Sequence, residues 1–360
     1  MEHLKHHRYI EYFQRQLVRE GSEDFWHKQK EWFDENRSSI ARKFLEISKQ
    51  PEDTPNRWAE AIMGHTDHGD YDNVFAKQIF EPLVKKVLEI CEAHDLAPRF
   101  AVRFVNSPGA EPSPAALPSS FEHVLFAGQG TFAFCNYWAK IFSSAMAEVA
   151  ELPDEERESP AAVIAKLRKG QVLVDATRLA VHYARFESLL GFGRIEQPNE
   201  LLGFRTLLLN AMEVFIVGHE FGHFISHEAH PDTCGIPDGA DSKHHELDCD
   251  AVGLAVCTEY GVRESNAFAF QLIGPLLLFY ALRTCEQTKA ILFTETQESN
   301  SHPSNEERFR FALEFLISAG ASDQVMESVH FALDVAMCVG SQVQLTAHEL
   351  KESLLANRNA

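Results

Sequence analysis

Val217-Gly218-His219-Glu220-Phe221-Gly222-His223-Phe224 closes an apolar run that begins at Leu207 and is interrupted only by Asn210 and Glu213. The pattern predicts one long helix from Leu201 to Glu228, stopped by Pro231 and apolar on nearly all sides toward its middle, as in a helix enclosed by neighbours. Residues four apart stand one turn above each other in a helix, so His219 and His223 project from one face. Two imidazoles in that relation can share a zinc ion, and Glu220 between them can reach water bound to it.

A zinc hydrolase usually takes three protein ligands and keeps a fourth position for water. A metzincin would continue with Gly three residues and His six residues after the second histidine. Here those positions hold Ser226 and Ala229, so that class fails. His227 lies one turn further along the same face and is read as a supporting or structural residue rather than a ligand. The better source of a third ligand is Glu246-Leu247-Asp248-Cys249-Asp250, starting twenty-three residues beyond His223. On a helix Glu246 and Asp250 share a face. Glu246 can bind the metal while Asp250 accepts the free ring N–H of a ligand histidine and so fixes its tautomer. His244 and His245 are rival ligands, but they leave Asp250 without a task.

His-Glu-x-x-His, then Glu-x-x-x-Asp, then His302-Pro303 followed by Arg308 resembles the gluzincin metallopeptidases of the HtpX and CAAX-prenyl-endopeptidase type, over residues 200 to 318. The resemblance implies a zincin-like fold, with the active-site helix packed beside a small sheet. It implies Zn2+ held by His219, His223 and Glu246, with Glu220 as general base and Asp250 behind the ligands. It further implies that His302 and Arg308 face the cleft and stabilise the oxyanion. Membrane members of that family often carry transmembrane helices between the second His and the Glu. The gap here is short and polar, and no clear Asn-Ala-Phe-like segment precedes the motif. The compact spacing is similar to soluble Lit-type and ImmA-type intracellular proteases, so the site is carried over and the substrate is not.

Composition fits that expectation. The chain has 360 residues, 45% apolar and 24% charged, ordinary for a soluble globular protein. A net charge of -20 argues against a nucleic-acid or anionic-membrane surface, both of which need clustered positive charge. Seven irregularly spaced cysteines without a Cys-x-x-Cys pair suggest a reducing compartment. The first residues lack the apolar core of a signal peptide. The apolar stretch Ala267–Leu282 is short for a bilayer crossing and reads as a buried helix kinked at Pro275. No transmembrane segment and a cytoplasmic location are the expectation.

The fold class expected is mainly α (α+β), with extra helices at both ends. Residues 1–60 read as amphipathic helices, 61–200 as a helix plus a small sheet, 201–318 as the zinc-binding core and 319–360 as C-terminal helices. The alternative is one continuous domain from residue 61. Phe100–Val105 alternates like a strand, Asn106–Ser120 is a Pro-rich loop, and Val124–Ala127 with Thr131–Phe134 suggests a hairpin across Gly128–Gly130. Gln171–Ala176 reads as a strand entering a helix. Lys243–Tyr260 reads as a helix ending at Gly261. Ser304 and Glu307 form a capping box for a helix to Ser318, with further helices at Asp323–Val339 and Ala347–Leu355. The His65–Asp72 segment, rich in His and Asp, reads as a solvated loop or a second metal site. The function expected is a soluble zinc-dependent endopeptidase acting on an intracellular protein or peptide, with an extended substrate pairing to Gln171–Ala176 or Val124–Ala127. The alternative is a metal-binding sensor or interaction protein that keeps the site without turnover.

Overall fold

The computed structural model describes residues 10–12, 14–15, 23–47, 59–60, 62–64, 74–108, 114–189, 191–229, 240–293 and 302–358. The His65–Asp72 segment and Pro231 lie outside these residues. The described chain is mainly helical with one three-stranded sheet. Its elements are α1 (Glu23–Ile47), α2 (Val74–Ala93), β1 (Ala101–Ser107), β2 (Ala115–Leu117), β3 (Glu122–Gly128), α3 (Gln129–Ala150), α4 (Asp154–Arg157), α5 (Pro160–Leu167) and α6 (Val172–Phe186). There follow α7 (Leu202–Ala229), α8 (Ala240–Arg263), α9 (Ala267–Phe270), α10 (Ile273–Phe293), α11 (Asn305–Ser318) and α12 (Asp323–Arg358).

β3 is the middle strand, parallel to β1 and antiparallel to β2. Successive side chains of a strand point to opposite faces. Leu125 and Ala127 accordingly join the main core, whereas Val124 and Phe126 pack with Val105 and Ile10 on the other face. A strand covered on both faces reads as a continuous apolar run, which is how Val124–Ala127 stands in the sequence. The main core is one contiguous cluster, from Ala76 and Phe80 on α2, through Trp138 on α3 and Phe215 on α7, to Val343 on α12. α7 runs through it, flanked by α8, α10 and α3, with β2 alongside. Residues Asn199–Ala229 are long and apolar enough to cross a membrane by length and composition alone.

Several sequence expectations change in the structure, and each change has a packing cause. No hairpin forms across Gly128–Gly130, because Gln129 opens α3 directly. Phe134, Trp138, Ile141, Ala145 and Val149 are all buried along it, and this helical stripe outweighs four residues of alternation. Gln171–Ala176 is the start of α6, not a strand. Val172, Leu173, Ala176, Leu179 and Ala180 share its buried face while Val174 is exposed. Within the Pro-rich loop, Ala115–Leu117 is a strand because it completes the hairpin with β3. The helix expected to kink at Pro275 instead breaks earlier, where Leu272 takes φ +54 between α9 and α10. Pro275 then falls in the first turn of α10, where no backbone N–H is needed. The last two expected helices are one, α12. Gly340 continues it because the helix there packs against Tyr280, whose hydroxyl would lie 2.5 Å from an added Cβ.

Candidate metal centre

The site is made where α7 and α8 cross. A Cβ on Gly222 would lie 2.7 Å from Cys249 Cα, and one on Gly218 would lie 3.0 Å from Gly253 Cα. The two helices therefore meet backbone to backbone, which only glycine permits at this separation. That approach brings Glu246 of α8 against the two histidines of α7. Glu246 Oε2 lies 3.5 Å from His219 Nε2, and its Oε1 lies 3.8 Å from His223 Nε2. One donor atom from each of the three lies within 4.8 Å of the other two. Zinc bonds of about 2 Å place tetrahedral donors roughly 3.3 Å apart, so the set fits such an ion with a small contraction. Glu246 is buried, and among the described residues its ion-pair partners are histidine nitrogens only, from His219, His223 and His302. A buried carboxylate whose close partners are imidazoles, with Arg308 acting on it only from beyond ion-pair distance, is a donor set suited to a cation.

The ligand rings are held from behind. His219 Nδ1 is 2.8 Å from Asp250 Oδ1. Burial opposes protonation of His219, but its hydrogen bonds to Asp250 and Glu246 raise the ring to about 9, so Nδ1 donates to Asp250 and Nε2 carries a proton toward Glu246 that a metal ion would displace. Asp250 is fully buried and forked by Arg308, with Nε at 2.8 Å from Oδ2 and Nη2 at 2.5 Å from Oδ1. Arg308 lies over the Phe279 ring, 4.7 Å from its centroid. Burial opposes ionisation of Asp250, yet the charge and hydrogen bonds of Arg308 hold it below the ordinary carboxylate range. Burial likewise opposes ionisation of Glu246, but its hydrogen bond and charge contact with His219 hold it down to about 2. His223 is pushed down to about 3 by burial first and then by the charge of His219, so its ring is neutral.

Glu220 is buried, and burial raises its carboxyl to about 7 against the opposing charge of His219. It accepts a hydrogen bond from the backbone N–H of Ala116 on β2. The sheet edge is thereby tied to the Glu220 carboxyl. His302 sits on the exposed side, with its Nε2 at 3.4 Å from Glu246 Oε1. Two residues on, the expected capping box is present: Ser304 Oγ accepts from the Glu307 N–H, and the Glu307 carboxylate accepts from the Ser304 N–H.

The structure thus brings together His219, Glu220, His223, Glu246, Asp250, His302 and Arg308. Arg308 has a different place from the one the family resemblance implied: it grips Asp250 behind His219 instead of facing the open side. His227 lies beside His123, 6.4 Å between ring centroids, away from the donor set. Sequence reasoning missed Ala116, hidden among prolines, and the glycine crossing. The spacing Gly218-x-x-x-Gly222 against Cys249-x-x-x-Gly253 was the available signal. It also missed Cys249, which stands with His245 beside the second nitrogen of His223. No protein-family model, curated protein or solved structure matches the chain.

Proposed function

We propose that this chain is a zinc-dependent endopeptidase with a zincin-like, gluzincin site, acting on an intracellular protein or peptide in the cytoplasm. The observation that carries the reading is the convergence of His219, His223 and Glu246 from two helices beside the buried carboxyl of Glu220. A zinc ion held by those three residues supplies Lewis acidity, lowering the pKa of water and polarising a peptide carbonyl. Glu220 takes the proton of the attacking water and delivers it to the leaving amine, a role suited to a carboxyl tuned toward neutrality. Asp250, anchored by Arg308, keeps His219 in the tautomer that offers Nε2. His302, on the exposed side, is placed to donate to the carbonyl oxygen as charge develops there.

The substrate strand has one natural partner. Gln171–Ala176 is helical and Val124–Ala127 is the paired central strand, so β2 is the edge beside α7. An extended peptide added to that edge lies next to Glu220. The six described cysteines are free thiols, which supports a reducing compartment. The test compares new peptide termini in a proteome incubated with the zinc-loaded full chain or with Glu220→Gln. The variant is expected to retain the zinc content of the wild type and to lose cleavage by about 10²–10⁴-fold. Equal cleavage by both proteins overturns the proposal. Zinc binding without new termini from either makes the chain a metal-binding sensor instead.

A further inference from the structure

His223 turns its other ring nitrogen toward a second group of donors. Its Nδ1 lies 3.1 Å from His245 Nε2 and 3.4 Å from Cys249 Sγ, and those two atoms are 3.9 Å apart. All three fall within 4.8 Å of one another. Tetrahedral zinc with ordinary bond lengths places two nitrogens about 3.4 Å apart and a nitrogen and a sulfur about 3.6 Å apart, close to this triangle. His245 and Cys249 are one turn apart on α8, on the face next to the one that carries Glu246 and Asp250. His245 is also oriented as metal-bound histidines are. Its Nδ1 lies 3.2 Å from the Ser226 hydroxyl, so a proton donated there leaves the Nε2 lone pair free. Cys249 is buried at the glycine crossing, so its sulfur is held in place against α7.

We propose that His223 Nδ1, His245 Nε2 and Cys249 Sγ form a second metal site, selective for a thiophilic cation of the zinc and cobalt class and joined to the first through the His223 ring. Binding displaces the thiol proton and the proton shared by the His223 and His245 nitrogens. A thiolate and a bridging imidazolate then face the dication, and two protons pass to solvent. The site uses none of His219, Glu220, Glu246 or Asp250, so it does not depend on the peptidase reading.

Cobalt(II) chloride titrated into the metal-stripped full chain distinguishes the two donor sets, because only the second has sulfur. Two equivalents are expected, one of them carrying a thiolate-to-cobalt charge-transfer band. Cys249→Ser and His245→Gln should each lose that band and one equivalent while keeping the other. Glu246→Gln should keep the band and lose the equivalent without it. X-ray absorption of the zinc-loaded wild type, which needs no variant, should contain a sulfur scatterer at about 2.3 Å. One equivalent with no sulfur signal overturns the proposal, as does a band undiminished in Cys249→Ser. A lone sulfur-bearing equivalent supports this site and removes the peptidase reading.

Discussion

At the scale of single residues, the candidate centre depends on groups that stand behind the donor set. Asp250 is buried between His219 and Arg308, and its charge keeps the Nδ1 proton of His219 in place. Asp250→Asn retains the shape but weakens the acceptor, and it leaves Arg308 facing a neutral amide. Zinc affinity is expected to fall about 10–100-fold, read by competition with a chromophoric chelator. Zinc affinity unchanged within twofold would show that the contact does not tune the ligand. His219, Glu220, His223, Glu246 and Asp250 were legible in the sequence because helical spacing converts directly into a shared face. The place of Arg308 was not. Its position beyond a loop told nothing of which side of Asp250 it would approach, and an arginine opposite a buried carboxylate is drawn to the bidentate pair.

At the scale of elements, the α7–α8 crossing sets the site. Gly222→Ala puts a methyl 2.7 Å from Cys249 Cα, so the helices must separate. Stability should fall by roughly 1–3 kcal/mol, with weaker zinc binding, as for overpacking elsewhere. Gly203→Ala on the same helix meets nothing within 4 Å, so it serves as the control and should leave zinc binding unchanged. Ala raises helix propensity at both positions, so parallel loss in both variants would mean that the crossing is not responsible. The long, strongly periodic helices were readable from the chain, α7 to within a residue at each end. The errors fell on short segments, such as Gln171–Ala176, where six residues fit either period. They fell also on β2, whose three residues are a strand only because β3 pairs with them. Tertiary pairing decided those cases, and it leaves no local signature.

At the scale of the whole molecule, stability and the candidate metal centre share one core. Glu213, one of the two polar interruptions in the α7 run, is buried, and among the described residues its Oε1 has no hydrogen-bond partner. Burial raises its carboxyl from 4.5 to about 8, so the folded state holds a proton that the unfolded chain loses. Its contribution to stability is fully present below pH 4.5 and is lost as pH rises toward 8, by roughly 1 kcal/mol per unit. Glu213→Gln should flatten this part of the decline, measured as the difference between urea midpoints of variant and wild type from pH 5 to 9. A constant difference across that range would mean that Glu213 does not titrate there. Removing zinc should lower the unfolding temperature too, since an ion that binds only the folded state contributes about 4 kcal/mol at a thousandfold excess over its Kd. Identical melting curves with and without chelator would count against a metal held by this core. The meeting of Gly218 and Gly222 with Cys249 and Gly253 carries a consequence for how an ion is held. A pivot made of main chain has no side chain that can yield, so the spacing of the two helices is set before any ion arrives. The donors stand slightly wider than tetrahedral zinc needs, so an ion is gripped by side chains swinging inward from two fixed rods, and no cation can draw the rods themselves together.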